Sequence, residues 1–314
     1  MKKTGIILVV YNQKENLKLL YESLNCQSYT NFTVYFVDNN STDGSYEHSL
    51  ELNKTYNLDI KYIFPGDNTG FAKGNNIGAE KAAEDKCEYI FILNNDTELH
   101  EDCLKYLVQL AGQDEMTAVT SPIIFYGNKK NSDNIIQEYG SNINFINCKV
   151  KKFFAQDNFE KSNNVIPGIK EVNFVSGGAM LIKTSVYKKT GLWEERYFAY
   201  GDEADLMKRL NDAGYKIKVT KMAMLWHNHK WTPENKKGYY FEYYLIERNK
   251  FLFFYRNKLY FSLIYTLFMD LIKFPWRLLW FKKVCDFKLG FYYLKGLFHG
   301  LLNIKGKPKL KFVK

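Results

Sequence analysis

Three acidic side chains, Asp202, Glu203 and Asp205, lie within four positions of one another, directly after the aromatic, glycine-containing segment 198–201. A carboxylate held in a site can accept the proton of a reacting hydroxyl and so act as a general base. The same side chains also suit the first turn of a helix, where the helix dipole favours negative charge. The cluster alone therefore leaves two interpretations open, a catalytic base or an acidic helix start.

Other polar side chains follow apolar, strand-like segments: Asp38 after 33–37, Asp96 after 89–93, and His227 and His229 after 222–226. Carboxylate oxygens and imidazole nitrogens together suit Mn²⁺ or Mg²⁺ bound jointly with phosphates. An aspartate after a strand is also a common turn residue. Each residue is weak evidence by itself, and only their ordered combination favours a metal and phosphate site.

The segment 5–110 alternates between strand-like and helix-like patterns, which is typical of an α/β fold. The predicted strands are 6–10, 33–37, 61–64 and 89–93, and the predicted helices are 15–24, 46–52 and 74–83. Ligands of open α/β sheets bind outside the carboxyl ends of the strands. We therefore expect the polar side chains after these strands to share one edge of the sheet.

The second half of the chain is predicted to add an inserted region and more strands. Segment 127–171 is rich in Asn and Lys and is expected to form an inserted loop or hairpin. Further strands are predicted at 172–175, 179–182, 216–220 and 222–226. Gly177 and Gly178 lie between two of these strands, in a turn where backbone can approach a substrate closely. The acidic cluster starts a predicted helix that ends at Gly214.

Missing patterns exclude several classes of protein. No GxGxxG follows the first strand and no GxxxxGK[ST] is present, which argues against a dinucleotide oxidoreductase and a P-loop enzyme. The five cysteines are scattered and have no CxxC spacing, so neither a disulfide framework nor a zinc site is indicated. The apolar run 6–10 is too short for a signal peptide. A reducing, cytoplasmic location fits these features.

Taken in chain order, several segments resemble the family 2 inverting glycosyltransferases with the GT-A fold, particularly their rhamnosyltransferase-like branch. The resemblance is carried by Val9-Val10-Tyr11-Asn12, Val37-Asp38-Asn39-Asn40-Ser41-Thr42-Asp43-Gly44-Ser45, Asn68-Thr69-Gly70-Phe71-Ala72-Lys73-Gly74-Asn75-Asn76, Leu93-Asn94-Asn95-Asp96, Ser176-Gly177-Gly178-Ala179, Asp202-Glu203-Ala204-Asp205-Leu206, His227 and Arg248-Asn249. It implies a mixed, Rossmann-like sheet flanked by helices, with a catalytic domain over 1–255 and the inserted region 127–171 on the acceptor side.

The resemblance also implies roles for individual residues. Asp38 is expected to bind the nucleobase of a nucleotide-sugar, and Asn94-Asn95-Asp96 looks like the family's DXD element. Asp96 and His227 are the expected ligands of Mn²⁺ or Mg²⁺. Glu203 takes the place of the catalytic base, but the family's commoner Glu-Asp order is reversed here, so Asp202 is a second candidate. The expected nucleotide-sugar contacts are Val10, Tyr11, Asn12, Asp38, Asn40, Asn68, Gly70, Asn76, Asn95, Asp96, Gly177 and Gly178.

Some of these residues also have a structural interpretation. Arg248 and Asn249 suit either phosphate binding or the bracing of a helix. Trp193, Tyr197 and Tyr200 suit either stacking on a sugar or core packing. Asn68 and Asn76 are either ligand contacts or organisers of loops.

The predicted function is the metal-dependent transfer of a sugar, with inversion, from a UDP- or dTDP-sugar to a hydroxyl of a glycan or lipid-linked acceptor, as in surface polysaccharide synthesis. A first alternative is a catalytically silent relative that binds carbohydrate or membrane. A second is a sugar nucleotidyltransferase, which would need a Gly-rich, basic phosphate loop near the first strand. Tyr11-Asn12-Gln13 offers no such loop.

The C-terminal segment 256–314 is basic and apolar, and from Lys250 onward 14 lysines and arginines face only two aspartates. Five polar residues share one helical face, and Pro275 interrupts a run too polar for a membrane span. These residues are Ser262, Thr266, Asp270, Lys273 and Arg277, with Lys288, Tyr292, Lys295 and His299 repeating the pattern and Trp276, Trp280, Phe281 and Phe291 as apolar anchors. We expect peripheral attachment to the anionic inner face of the cell membrane.

A different interpretation of the same tail is a helix pair that packs on the catalytic domain or forms a homodimer. Nucleic acid is not an expected partner, because the basic residues alternate with long apolar runs and no binding motif occurs.

Overall fold

A mixed β-sheet forms the centre of the protein in a computed structural model that describes residues 2–191, 193–228, 236–283 and 286–310. Its spatial order is β10-β12-β6-β11-β4-β1-β2-β3, with β5 paired to β12, β7 paired to β6, and β8 and β9 forming a separate hairpin. The strands are β1 (Thr4–Val10), β2 (Phe32–Asp38), β3 (Ile60–Ile63), β4 (Tyr89–Leu93), β5 (Thr97–Leu99), β6 (Thr117–Tyr126), β7 (Ile136–Glu138), β8 (Ser141–Asn144), β9 (Lys149–Lys152), β10 (Ile169–Val172), β11 (Ala179–Lys183) and β12 (Lys216–His227).

Strands β1 to β4 are parallel, and β1 and β4 are buried on both faces, as expected for near-continuous apolar runs. In the register of β1 and β2, Val10 lies opposite Asp38. The loops after these strands therefore begin side by side at one edge of the sheet.

The other half of the sheet reverses direction. β11 runs antiparallel to both β4 and β6, and β12 runs parallel to β6. β12 also pairs with the short β5, which places His227 opposite Thr97. Because Asp96 immediately precedes Thr97, this register brings Asp96 next to His227.

Ten helices are described: α1 (Leu17–Asn25), α2 (Ser45–Tyr56), α3 (Gly70–Glu84), α4 (Cys103–Gly112), α5 (Phe159–Ser162), α6 (Thr184–Thr190), α7 (Asp202–Asp212), α8 (Lys236–Arg256), α9 (Tyr260–Lys283) and α10 (Phe287–Leu301). Buried apolar clusters fill both faces of the sheet, one with α3 and α7 and the other with α1 and α4. α3 packs closely because Gly74 and Gly78 have no side chain: an added Cβ would lie 2.7 Å from Val9 and 2.5 Å from Ile7.

Several predicted elements have different limits in the structure. The predicted strand 172–175 ends at Val172, and the predicted strands 216–220 and 222–226 form one strand, β12, with an irregularity between Thr220 and Met224. α3 begins at Gly70, four residues earlier than predicted. Within 127–171 the chain forms the β8–β9 hairpin together with β7, α5 and most of β10.

The C-terminal helices pack against α8. α10 lies along α8, and an added Cβ at Gly296 would lie 2.4 Å from the Tyr244 carbonyl oxygen. α9 continues through Pro275 instead of ending there. Among the described residues, no helix is long and apolar enough to cross a bilayer. The division into domains at residue 255 remains a prediction.

Candidate active site

Asp96 and His227 form the centre of the predicted site. Asp96 Oδ1 lies 3.0 Å from His227 Nε2, and the other ring nitrogen, Nδ1, lies 3.1 Å from Gln137 Oε1. Both side chains are largely buried, with 16% of Asp96 and 15% of His227 exposed. Gln137 orients the imidazole from the second side, as outer partners of metal-binding histidines commonly do.

This pair fits a divalent cation. Two neighbouring ligand atoms of an octahedral ion, each about 2.1 Å from it, lie about 3.0 Å apart, which is the separation of Asp96 Oδ1 and His227 Nε2. One carboxylate oxygen and one imidazole nitrogen form a donor set that suits Mn²⁺. Across the described ranges, no group of three or more His, Cys, Asp or Glu side chains is placed to hold a metal. His229, a further predicted donor, lies outside those ranges.

The ends of β1 and β2 and the loops that follow them carry residues of the predicted nucleoside pocket. Asn12 Oδ1 accepts a hydrogen bond from the Thr42 backbone N–H at 2.8 Å, and Asp38 Oδ1 accepts one from the Ser41 N–H at 2.7 Å. Asn12 and Asn40 both adopt positive φ, at 54° and 66°. Tyr11 and Asn40 are exposed, whereas Val10 and Asp38 are buried. The five predicted residues therefore lie on the adjacent ends of β1 and β2 and the loops that follow them.

Asn68 and Asn76 have structural partners. Asn68 Oδ1 accepts from the Gly70 N–H at 3.0 Å, at the start of α3. Asn76 donates to the Trp193 carbonyl and to Glu195, and it accepts from Tyr187 and the Trp193 N–H. These bonds favour the loop-organising interpretation of both asparagines. Trp193 and Tyr197 are buried, which favours core packing for them.

Gly70 joins α3 to the segment before the acidic cluster. The backbone N–H groups of Phe71 and Ala72 donate to the Phe198 carbonyl at 2.7 and 3.3 Å. Gly70 has φ +83°, and an added Cβ would lie 2.4 Å from that carbonyl oxygen. Glycine is therefore required here for both its conformation and its small size.

The Gly177–Gly178 turn lies between the DXD-like element and Glu203. The Asn94 N–H donates to the Gly178 carbonyl at 2.9 Å, and the Gly177 N–H donates to Glu203 Oε1 at 3.4 Å. An added Cβ at Gly177 would lie 2.9 Å from that carboxylate oxygen. Asn95, the middle residue of the DXD-like element, contacts β1, where its side-chain amide donates to the Val9 carbonyl at 2.9 Å.

The three acidic residues of α7 have different environments. Asp205 is buried and paired with Arg209 at 2.8 Å and Arg256 at 3.0 Å, so it is a structural anchor. Asp202 is also completely buried, and neither carboxyl oxygen has a hydrogen-bond partner among the residues that the structure describes. Burial, reinforced by the neighbouring Glu203 charge, raises the pKa of Asp202 well above its usual range. Glu203 is only partly buried and reaches the Gly177 turn.

Helix α8 holds the segment that precedes α7. The Arg248 guanidinium donates to the Tyr197 carbonyl at 2.7 Å, and the Asn249 amide donates to the carbonyls of Ala199 and Tyr200 at 2.7 and 2.6 Å. These contacts support the bracing interpretation of Arg248 and Asn249. The braced segment is strained, because Phe198 and Tyr200 adopt φ values of 69° and 62°. Strain of this kind is typical of functional loops.

Two residues of β7 were not predicted. Gln137 contacts His227, and the buried Glu138 accepts from the Ser176 N–H at 3.2 Å. Burial raises the pKa of Glu138 above its usual range. Nothing in the sequence around these residues distinguishes them, because only the pairing of β7 with β6 brings the inserted region to the site.

Two relatives match most of this chain. It is 26% identical over 318 residues to the low-salt glycan biosynthesis hexosyltransferase Agl10 of Haloferax volcanii, covering 97% of this chain and 93% of the relative. It is 20% identical over 240 residues to an N-acetylglucosaminyl-diphospho-decaprenol L-rhamnosyltransferase of Mycobacterium tuberculosis, covering 71% of this chain and 75% of the relative.

The fold is similar to that of mannosyltransferase PcManGT from Pyrobaculum calidifontis, solved in complex with GDP-Man and Mn²⁺. The TM-score is 0.59 at 12% identity, over 96% of this chain and 87% of that one. This likeness supports the predicted α/β fold of the GT-A type.

The family model described as glycosyl transferase family 2 matches residues 5–191, more than half of the chain. The matched segment includes the predicted nucleoside pocket, Asp96 and the Gly177–Gly178 turn, whereas Glu203 and His227 follow it. The predicted family is thus confirmed by the model match and by the two relatives. The chain belongs to glycosyl transferase family 2 and is a glycosyltransferase.

Proposed function

We propose that this enzyme transfers a hexosyl group, with inversion, from a nucleoside-diphosphate-sugar to a hydroxyl of a glycan or lipid-linked acceptor, and that it requires Mn²⁺ or Mg²⁺. The observation that carries the proposal is the convergence of Asp96, His227 and Glu203. Asp96 and His227 are in direct contact, and Glu203 meets the turn whose Gly178 carbonyl binds Asn94. The candidate metal-binding pair and the Glu203 carboxylate are thus linked through one glycine turn, an arrangement that suits a sugar bound near it.

Glu203 is the proposed general base. Its carboxylate would accept the acceptor's proton as the hydroxyl oxygen forms a bond to the anomeric carbon and the bond to the diphosphate breaks. Asp202 is unsuited to this task, because it is completely buried and burial raises its pKa well above the usual range. One displacement of this kind inverts the anomeric centre.

Asp96 and His227 would hold the metal ion, which when bound supplies positive charge to neutralise the leaving diphosphate. Asp38 and the segment 10–12 would bind the nucleoside at the neighbouring edge of the sheet. The similar proteins support this class of donor and product, since one relative is a hexosyltransferase in glycan synthesis and one similar structure was solved with GDP-Man and Mn²⁺.

The test measures nucleoside diphosphate released from UDP-, dTDP- and GDP-sugars by the full-length enzyme, with Mn²⁺ or with a chelator. We expect metal-dependent release with at least one donor. Glu203→Gln should lower kcat by roughly 10²–10⁴-fold, because it removes the base and keeps the side-chain shape. Asp202→Asn, a matched neutral substitution one residue away, should cause a much smaller loss. Asp96→Ala should raise the metal concentration that gives half-maximal activity. Asp212→Ala, at the far end of α7, should leave that concentration unchanged.

Equal activity of Glu203→Gln and the unchanged enzyme would refute the assignment of the base. A catalytically silent relative would give a different result even with the unchanged protein. It would be stabilised against heat by a nucleotide-sugar while releasing no diphosphate with any donor.

A further inference from the structure

Helix α9 has its polar side facing the protein and its apolar side facing outward. Ser262, Thr266 and Asp270 are buried, at 3%, 7% and 7% exposure. Asp270 forms ion pairs with Lys250 of α8 at 3.1 Å and with Arg277 at 3.1 Å. A surface helix of a water-soluble domain normally shows the reverse arrangement. The outward side of α9 therefore suits an environment less polar than water.

The outward side of α9 is made of large apolar side chains spaced three to five residues apart. They are Phe261, Ile264, Phe268, Leu271, Trp276 and Leu279, each between 57% and 76% exposed. The side chains of the predicted anchors Trp280 and Phe281 lie outside the described part of the chain. No contact within the described protein covers this stripe.

Helix α10 extends the same kind of surface. Its inward side consists of small or buried residues, including Gly296 and Gly300, which lie against the backbone of α8. Its outward side carries Phe287, Phe291 and Phe298, which are 74%, 60% and 58% exposed. We name the outward residues of α9 and α10 together the apolar platform. It is far larger than the isolated apolar residues of an ordinary surface.

The charge around the apolar platform is basic. Lys273, Lys288 and Lys295 are exposed or half-exposed on the two helices, and the single acidic residue within α9 and α10, Asp270, is buried in its ion pairs. Lys295 lies over the Phe291 ring, with Nζ 6.0 Å from the ring centre. An apolar stripe flanked by lysines is the pattern of a helix lying at a membrane surface.

We propose that the apolar platform binds the surface of an anionic lipid bilayer, with α9 and α10 lying in the interface. α8 joins them to the segment 197–203 that ends at the proposed base, which we name the catalytic segment. The lysines decide between this occupant and a second copy of the chain, because two platforms pressed together would bring like charges close to one another. Anionic lipid headgroups instead neutralise them. This inference goes beyond the transfer reaction proposed above.

The test is co-sedimentation of the full-length protein with vesicles of phosphatidylcholine, alone or mixed with phosphatidylglycerol. We expect binding to the mixed vesicles that weakens with salt. The triple variant Phe261→Ser, Trp276→Ser, Phe287→Ser should bind at least about tenfold more weakly, because three interfacial anchors are removed. The control Ile146→Ser, Val165→Ser, Met222→Ser removes three exposed apolar side chains elsewhere and should bind normally. Lys273→Gln and Lys288→Gln should each weaken binding roughly fivefold.

Thermal unfolding of each variant checks that it is folded, since the substituted side chains are exposed. The proposal is overturned if the triple variant sediments as well as the unchanged protein, or if neither vesicle binds the unchanged protein. It is also overturned if the protein is a dimer in solution that the triple variant converts to a monomer, because a second copy then covers the platform. Vesicle binding needs no turnover, so these outcomes are independent of the proposed reaction.

Discussion

Asp202 and Glu203 are adjacent carboxyl groups with opposite environments. Asp202 lies under the first turn of α7 with no exposed surface, whereas Glu203 points to the Gly177 turn. The helix N-terminus partly favours the charged form of Asp202, but complete burial outweighs it and raises its pKa. The difference in burial favours Glu203 over Asp202 as the base.

The raised pKa of Asp202 predicts how Asp202→Asn changes the pH dependence of stability. An unfolded aspartate loses its proton near pH 4, whereas folded Asp202 keeps its proton to a much higher pH. Between these two pH values the unfolded state binds fewer protons than the folded state. The free energy of unfolding therefore falls, as the pH rises, by up to about 1.4 kcal/mol per pH unit. Asparagine does not titrate. We therefore expect the difference in melting temperature, Asp202→Asn minus the unchanged protein, to be larger at pH 7 than at pH 5.

The measurement is thermal unfolding of both proteins at several pH values in buffers of equal ionic strength. A difference in melting temperature that stays constant from pH 5 to pH 7 would show that Asp202 is ionised in the folded protein. In that case Asp202 would again be a candidate for the base.

At the scale of the elements, the start of α3 contacts the catalytic segment through the Phe198 carbonyl. Gly70→Ala should destabilise the protein, because alanine is strained at φ +83° by about 1–2 kcal/mol and its Cβ would also clash with that carbonyl. Gly66→Ala is the matched control, since Gly66 has φ +85° but no described atom within 4 Å of an added Cβ. We expect Gly70→Ala to cost about 1–3 kcal/mol more than the control.

Chemical denaturation of the two variants measures this difference. Equal destabilisation would mean that the contact of Gly70 with Phe198 is not tight. A larger loss of activity in Gly70→Ala, measured at a temperature where both variants are folded, would show that α3 also positions the catalytic segment.

Local sequence patterns predicted the parallel strands and the polar residues that follow them, because buried strands leave apolar runs and turns need polar residues. They did not predict that β11 inserts antiparallel between β4 and β6, since strand partners are set by contacts distant in sequence. The joining of 216–220 and 222–226 into β12 was missed for a similar reason. β12 pairs with β6 on both sides of the irregularity between Thr220 and Met224, so the break that the local pattern suggests at Lys221 lies within one strand.

At the scale of the whole molecule, the same limit applies to the C-terminal helices. The spacing of Ser262, Thr266 and Asp270 correctly predicted one polar side of α9, but periodicity cannot tell which side is buried. Lys250 of α8 decides this, because it pairs with Asp270 and makes the polar side the inner one. The contacts of Glu138 and Gln137 with the site were equally hidden, since they depend on where the inserted region folds back.

Helix α8 contacts both the C-terminal helices and the segment that leads to Glu203, so a change at α10 should reach this proposed base. Gly296→Ala would place a Cβ 2.4 Å from the Tyr244 carbonyl and push α10 away from α8. We expect a loss of about 1–3 kcal/mol in stability. We also expect a lower kcat with an unchanged KM for the nucleotide-sugar, because Arg248 and Asn249 of α8 hold the catalytic segment but not the nucleoside loops.

The control is Gly112→Ala at the end of α4, where an added Cβ would meet only the Tyr89 hydroxyl at 3.8 Å. Alanine is the better helix former, so this variant should be as stable as the unchanged protein or more so. Thermal unfolding and steady-state kinetics separate the outcomes. If Gly296→Ala lowers the melting temperature but leaves kcat unchanged, then α8 holds the helices together without positioning Glu203. If KM rises in proportion as kcat falls, the disturbance extends to the loops after β1 and β2. The position of the C-terminal helices then affects the whole site and not only Glu203.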